Sequence, residues 1–227
     1  MKWLTNFLVS SLGRKLIMSL TGLFLCLFLV VHMLGNLQLF VDSGETFNAY
    51  AYTMTHNPLI KLISYGNYFF ILLHAIQGIA IYLYNKKARG SEKYAGKEKS
   101  KTAASTSSRN MAIFGSLIFF FIAVHMAQFW GKMHFTDMPV DALGHKDLYL
   151  IVSEAFQQEW VVIFYLLGLV ALAFHLMHGF WSAFQSLGLS HKKYSPIIRA
   201  VGMAYAILIP LGFAAMPIYF YVLPMMK

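Results

Sequence analysis

Long apolar runs alternate with short polar stretches along the whole chain. We place five such runs near residues 16–40, 62–84, 111–131, 160–187 and 198–223. Each reaches or exceeds the ~18 residues that a membrane-spanning helix needs, and none shows the alternation of a β-strand. Only helices and closed barrels span lipid. The pattern therefore predicts an all-α membrane protein with five transmembrane helices in a single domain, residues 1–227.

The stretches between the runs carry signals of their own. Residues 1–12 hold Trp3 and are expected at the membrane interface. The Asn57-Pro58 pair predicts a turn before the second run, and residues 132–159 are long enough for a short helix along the membrane surface. Pro210 is expected to kink the last helix.

Composition agrees with this class, since 58% of the residues are apolar and only 12% are charged. The net charge of +9 is distributed unevenly between the two ends of the runs. One side carries 14 of the 18 basic residues: Lys2, Arg14, Lys15, Lys86, Lys87, Arg89, Lys93, Lys97, Lys99, Lys101, Arg109, Lys192, Lys193 and Arg199. The other side carries seven of the nine acidic residues: Asp42, Glu45, Asp137, Asp141, Asp147, Glu154 and Glu159.

This charge distribution sets an orientation and excludes one class of function. By the positive-inside rule, the amino terminus and the loop 85–110 lie in the cytoplasm and the carboxyl terminus lies outside. A nucleic-acid-binding protein does not fit, because the basic residues are interleaved with membrane spans. The basic loop either serves topology alone or forms a docking face for a cytoplasmic partner.

Each of the first four runs contains a histidine well inside it: His32, His74, His125 and His175. Ionisable residues inside a membrane are expensive and mark functional sites. At ~1.5 Å per helical residue, His32 and His125 lie about 25 Å from the cytoplasmic charges, whereas His74 and His175 lie roughly 18–20 Å away. The depths predict an outer pair and an inner pair.

Local sequence gives the same pairs. The first run reads F28-L-V-V-H-M33 and the third reads F121-I-A-V-H-M126, whereas the second reads H74-A-I-Q-G78 and the fourth reads H175-L-M-H-G179. Gly78 and Gly179 follow their histidines by four residues, and Gly35 follows His32 by three, which would leave room for a flat cofactor beside the helix.

Two pairs of imidazoles on four helices predict two b-type haems, each with two axial histidines and no open position on the iron. Cys26 is the only cysteine, so covalent haem attachment and cysteine-ligated clusters are excluded. His178 is an alternative to His175 as the fourth ligand. Zinc fits less well, because a tetrahedral site needs its ligands at one level. Ligation by a methionine next to a histidine stays open, although adjacent residues do not share a helix face.

Two further segments carry a family resemblance. The segment S10-S-L-G-R-K-L-I-M-S-L-T-G22, followed by F28-L-V-V-H-M-L-G-N36, closely resembles the first helix of the di-haem cytochrome b subunit of succinate dehydrogenase and fumarate reductase. The chain resembles the single-polypeptide, five-helix form found in several bacterial groups. F174-H-L-M-H-G-F-W181 resembles the fourth haem helix of that family, in which the ligand is the histidine after phenylalanine, and this favours His175.

The resemblance implies a membrane anchor in the bacterial cytoplasmic membrane. Flavoprotein and iron–sulfur subunits would bind its cytoplasmic face, and electrons would pass between succinate or fumarate and a membrane quinone, expected to be menaquinone. His74 and His175 would ligate the proximal haem, and His32 and His125 the distal haem. Some fumarate reductases of this type have a glutamate two residues before the fourth-helix ligand, where this chain has Ala173, so a proton route through that position is in doubt and succinate oxidation is favoured.

Two groups of polar residues are candidates for contacts beside the haems. Arg14, Lys15 and Ser19 lie where propionates of the inner haem would emerge, and simple anchoring at the membrane edge is the alternative. Quinone reduction takes up protons near a membrane edge. The candidates for that role near the outer haem are Asn36, Gln38, Asp42 and Glu45, and the alternative is an ordinary solvated loop.

Two other functions stay open from the sequence. The chain could be the cytochrome b subunit of a hydrogenase, a nitrate reductase or an ascorbate-linked reductase, with the same haem ligands. It could also be a haem-free anchor or transporter, in which the histidines bond between helices or relay protons. Transporters of this kind carry matching helix breaks in two halves, and Pro210 has no counterpart.

Overall fold

A computed structural model describes residues 2–90 and 110–226, and nearly all of both ranges is helical. The helices are α1 (Lys2–Val9), α2 (Ser11–Asn36), α3 (Glu45–His56), α4 (Pro58–Arg89), α5 (Met111–His125), α6 (Lys132–Phe135), α7 (Leu148–Phe156), α8 (Glu159–Ser186) and α9 (Ser195–Val222). Short 3₁₀ turns follow α2 at Leu37–Phe40 and α9 at Leu223–Met226, and a π-helical segment, Met126–Gly131, joins α5 to α6.

Five helical stretches are long and apolar enough to cross a membrane, which confirms the predicted number of spans. They are α2 with its 3₁₀ turn, α4, α5 through α6, α8 and α9. The second is longer than residues 62–84, because α4 begins at Pro58 and continues to Arg89. Hydropathy detects only the part of a helix that contacts hydrocarbon, whereas the backbone stays helical into the polar residues at either end.

The sequence signals for helix starts have clear physical counterparts. The Ser10 side chain accepts a hydrogen bond from Gly13 N at 3.1 Å and caps α2, so the first residues form a separate short helix. Asn57 caps α4 by accepting from Leu59 N at 2.9 Å, with Pro58 in the first turn. Asp147 caps α7, the short helix expected between residues 132 and 159.

The first four spans form a four-helix bundle. Helix α2 packs against α4 and α8, and α5 packs against the same two helices. As a result, α2 and α5 are diagonally opposite, and so are α4 and α8. Helix α9 lies outside this square, against α8 and α2. Its Tyr205 hydroxyl donates to the Cys26 carbonyl of α2 at 2.6 Å, and the helix remains α-helical through Pro210 and Pro217.

A polar and aromatic cap closes one end of the bundle, where α3 and α7 cross it. Buried Asn48 donates to Asp147 at 3.0 Å and accepts from Tyr149 N at 3.0 Å, which joins the two helices. Gly44 has a φ of 117°, and a Cβ there would lie 2.6 Å from Tyr149 Cγ, so only glycine fits. The main apolar core lies beneath this cap: Leu39, Phe47, Val152, Phe156, Val161, Val162, Tyr165, Met216 and Phe220.

The two ends of the bundle differ in charge. We call the end with Arg14, Lys15, Lys86, Lys87 and Arg199 the basic side, and the end with Asp42, Glu45, Asp141, Asp147 and Glu159 the acidic side. Five of the basic residues assigned from the sequence, Lys93, Lys97, Lys99, Lys101 and Arg109, lie outside the described residues. The arrangement is that of a multi-pass membrane protein.

Candidate functional site: two histidine pairs

The inner pair consists of His74 on α4 and His175 on α8. Their ring centres are 6.1 Å apart and their planes cross at 68°. The two helices are diagonal partners, so both side chains point into the centre of the bundle. The Thr21 side chain of α2 contacts His74, which places the pair two turns inside Arg14 and therefore nearer the basic side.

The outer pair consists of His32 on α2 and His125 on α5, the other two diagonal partners. Their ring centres are 5.9 Å apart and their planes cross at 86°. Eleven residues of α2 separate Thr21 from His32, which is about 16 Å along a helix. The structure thus brings together the same two pairs, at two levels, that depth and local sequence predict.

Hydrogen bonds hold two of the four rings. Thr21 Oγ1 lies 3.1 Å from His74 Nδ1. Tyr165 OH lies 3.3 Å from His125 Nδ1 and donates to Gln128 Oε1 at 2.9 Å. Since that hydroxyl gives its own proton to Gln128, it accepts from His125 Nδ1–H and leaves the Nε2 lone pair free. Such partners fix the tautomer and orientation of metal-binding histidines.

The other two rings are held less firmly. His32 Nδ1 is 3.4 Å from Asn36 Nδ2, and the Asn36 amide donates its shorter bond, 2.8 Å, to the His32 carbonyl. His175 Nδ1 is buried, and the structure gives it no hydrogen-bond partner among residues 2–90 and 110–226. A buried ring nitrogen without a partner is costly.

Aromatic stacking repeats within the outer pair. Phe28 stacks on His32 with ring centres 5.2 Å apart and planes at 16°, and Phe121 stacks on His125 at 5.9 Å and 19°. Each phenylalanine precedes its histidine by four residues, as one helical turn requires. The weak internal repeat in the sequence therefore has a matching geometry.

Two glycines that the sequence did not single out lie beside the inner rings. A Cβ on Gly22 would lie 3.2 Å from His74 Cε1, and one on Gly115 would lie 3.9 Å from His175 Cε1. Gly78 instead faces Met18, and Gly179 has nothing within 4 Å. Gly35 faces Tyr50. The glycines that contact the inner pair thus precede the histidines of α2 and α5 by ten residues, a spacing that sequence reasoning missed.

The donor set fits a haem iron at each level. The ring centres lie 5.9 and 6.1 Å apart, so the two imidazoles of each pair would be able to hold one iron between them. Within the described ranges, no group of three or more His, Cys, Asp or Glu side chains is placed to hold a metal ion. A haem iron needs only two protein ligands of this kind.

His178 lies one turn from His175 on α8, on the basic side of it, and is half-buried. The ring that faces His74 is that of His175. Met33 contacts the α9 side of the bundle rather than the outer pair, since a Cβ on Gly212 would lie 2.5 Å from its sulfur. The geometry therefore favours histidine over methionine at both levels.

Arg14, Lys15 and Ser19 lie near the basic end of the bundle. Arg14 and Lys15 line a small recess with Ile81, Tyr84 and Asn85 of α4. Arg14 Nε donates to Val9 O at 3.1 Å, and buried Ser19 donates to Lys15 O at 2.8 Å. Two cations thus meet α4 on the inner-pair side of the bundle, where propionates were expected.

The four candidates near the outer pair have different surroundings. Asn36 contacts His32 directly, and Gln38 follows in the half-buried 3₁₀ turn. Asp42 and Glu45 are exposed at the start of α3. Hydrogen bonds from the Thr46 hydroxyl and from Gly44 N hold the pKa of the Asp42 carboxyl below its usual range. Asp42 thus accepts hydrogen bonds at the start of α3, and its role at a quinone site stays a prediction.

Several residues of the site carry no signal in the sequence. Thr21 and Tyr165 are far along the chain from the histidine that each contacts. Gln128 lies in the π-helical segment. That segment begins directly after His125 and brings Phe129 to within 5.5 Å of its ring. Segments of this kind are frequent at functional sites. Comparisons with protein-family models, curated proteins and solved structures return no match for this chain.

Proposed function

We propose that this chain is the cytochrome b membrane-anchor subunit of a succinate:quinone oxidoreductase. The observation that carries the proposal is the pair of facing imidazoles at each of two levels, from diagonal helices of one bundle. The resemblance of the first and fourth spans to that family supports it. Succinate chemistry itself would take place on the partner subunits.

The chain's own residues would hold two b haems. His74 and His175 would ligate the haem near the basic side, and His32 and His125 the haem near the acidic side. A b haem with two imidazole ligands supplies one-electron transfer at an iron that has no open position. The surrounding helices exclude water, and Thr21 and Tyr165 hold their histidines with Nε2 free. The 16 Å spacing of the levels divides a ~30 Å hydrocarbon core into two shorter distances.

The charge of the two sides supports the proposed partners and orientation. The basic side would face the cytoplasm and bind the iron–sulfur and flavoprotein subunits. An open recess lined by Ser190, His191, Lys192, Ser195, Pro196 and Arg199 lies at this end. Arg199 also stacks over Trp181, 4.5 Å from the ring centre. A bacterial cytoplasmic membrane is the compartment in which this arrangement would work.

The acidic side is the proposed location of the quinone, with menaquinone as the expected substrate. Asn36, Gln38, Asp42 and Glu45 are the candidates for contact or proton uptake, and Asp42 also accepts hydrogen bonds from the start of α3. Ala173 lies two residues before His175 and cannot carry a proton. We therefore favour succinate oxidation without a proton route at that position.

Haem stoichiometry of the complex purified from membranes tests this function. A pyridine haemochrome assay should give two b haems per copy of this chain, and a flavoprotein and an iron–sulfur subunit should co-purify. Two haems with a hydrogenase or nitrate reductase partner would instead identify a different quinone-linked cytochrome b. A colourless chain in an intact complex would support a haem-free anchor and would overturn the proposal.

A further inference from the structure

The two halves of the bundle differ at one position next to the inner pair. Gly22 precedes His32 by ten residues and contacts His74, and Gly115 precedes His125 by ten residues and contacts His175. The residue before each of these glycines is Thr21 in the first half and Phe114 in the second. A hydroxyl therefore adjoins His74, whereas the equivalent position along α5 carries a phenyl ring that packs on Phe174.

The Thr21 hydroxyl is committed as an acceptor toward His74. Its Oγ1 donates to Ile17 O at 2.8 Å, with Met18 O at 3.1 Å, and lies 3.1 Å from His74 Nδ1. A hydroxyl has only one proton, and the backbone carbonyls of α2 take it. These contacts assign the proton of the Thr21–His74 bond to His74 Nδ1, which leaves the Nε2 lone pair free. Thr21 is only 3% exposed, so water does not compete.

His175 lacks the matching contact. Phe114 stacks on Phe174 of α8, with ring centres 5.3 Å apart and planes at 14°, and offers no hydrogen-bonding group. The buried Nδ1 of His175 has no partner among the described residues. The ring lies beside Gly115 of α5 and faces His74 of α4.

We propose that Thr21 is a positioning residue that fixes the tautomer and orientation of His74 and makes it the stronger of the two inner ligands, with His175 the weaker. This rests on the proposed haem ligation. A hydrogen bond accepted from Nδ1–H raises the electron density at Nε2, which stabilises ferric iron more than ferrous iron. At the inner site, a hydrogen bond therefore adjusts the electron density of His74 but not that of His175.

The substitution Thr21→Val tests the role, since it removes the hydroxyl and keeps the branched shape. Haem affinity at the inner site should fall about 10–100-fold. The midpoint potential of the inner haem should rise, by about 59 mV for each tenfold selective loss of ferric affinity. Thr21→Ser should restore both values, and the outer haem should serve as the unchanged internal control. The measurements are haem content and a potentiometric titration of the purified complex.

A second variant tests the effect of a hydroxyl beside an inner ligand if the Thr21→Val complex does not assemble. Phe114→Thr places a hydroxyl at the equivalent position of α5, directly before Gly115, and should lower the potential of the inner haem if that hydroxyl reaches His175 Nδ1 as Thr21 reaches His74. Unchanged inner-haem potential and content in Thr21→Val, or a Thr21→Ser variant as impaired as Thr21→Val, would overturn the positioning role. An unaltered complex without haem would instead overturn the proposed function itself.

Discussion

The outer and inner histidine pairs share a ligand set but differ in what surrounds it. His125 of the outer pair is enclosed by Phe121, Phe129 and Tyr165, and its Nδ1 joins a hydrogen-bonded chain to Gln128. The inner pair has glycines against both rings, one hydroxyl partner and one ring nitrogen that has no partner within residues 2–90 and 110–226. The two levels thus repeat the same pattern of histidines, but the residues that surround the rings differ.

The difference follows from the position of the main apolar core. Tyr165 belongs to that core, and Phe121 and Phe129 pack against it, so the outer level shares its packing with the cap of α3 and α7. The inner level lies beyond this core, where interior positions of α4 and α5 are only partly covered by protein. Dense packing makes a ring position rigid, so we expect the outer level to tolerate substitution less well.

Removal of a ligand should have the largest effect. His32→Ala and His74→Ala should each remove one of two haems, at different levels, because a single imidazole binds a haem far more weakly than two. The remaining haem should keep its own potential. His134→Ala, at an exposed position of α6, is the matched control and should keep both. Haem counts that fall equally at both levels in either variant would contradict two independent sites.

A glycine of α8 tests the rigidity of the outer level. A Cβ on Gly168 would lie 2.5 Å from Phe121 Cδ2, so Gly168→Ala must displace the ring that stacks on His125. We expect a loss of about 1–3 kcal/mol of stability, as for other overpacked cores, with selective loss of the outer haem. Thermal unfolding and haem content measure both effects.

The Tyr165 hydroxyl should set the affinity of the outer level. Tyr165→Phe leaves His125 Nδ1 and Gln128 Oε1 without their partner, which costs about 1–3 kcal/mol for each buried group. Retention of the outer haem should decrease about 10–100-fold, whereas the inner haem stays. Tyr205→Phe also removes a buried hydroxyl, from the contact with Cys26 O, and should leave both haems bound. A Tyr165→Phe variant with normal outer-haem retention would show that packing alone holds His125.

The smallest effect concerns the acidic side. The pKa of Asp42 is lowered in the folded chain by Thr46 and Gly44, so its stabilising contribution is present above the unfolded pKa and is lost as pH falls through the folded pKa. Amide exchange at the start of α3 should accelerate only below the usual aspartate range. In Asp42→Asn this pH dependence should vanish, with quinone turnover unchanged at neutral pH. Loss of quinone turnover in Asp42→Asn would instead indicate that Asp42 takes part in proton uptake.

Local patterns in the sequence account for the helices and for the level of each histidine. Apolar runs, capping residues such as Ser10 and Asn57, and the charges at the ends of the runs are properties of neighbouring residues. They were sufficient to predict five spans and to group His32 with His125 and His74 with His175. The iron ligation and the redox partners stay predictions.

The tertiary structure alone decided which helices are diagonal partners and what each ring contacts. Thr21 is 53 residues from His74, and Tyr165 is 40 residues from His125. Periodicity along one helix cannot give such contacts, because they depend on how two helices cross and rotate. For the same reason the sequence gave no sign that Gly22 and Gly115 lie against the inner rings, whereas the cofactor-facing role of Gly78 and Gly179 stays a prediction. The depth of a histidine in the membrane follows from its position along its own helix. Its contacts depend on how the other helices pack against that helix.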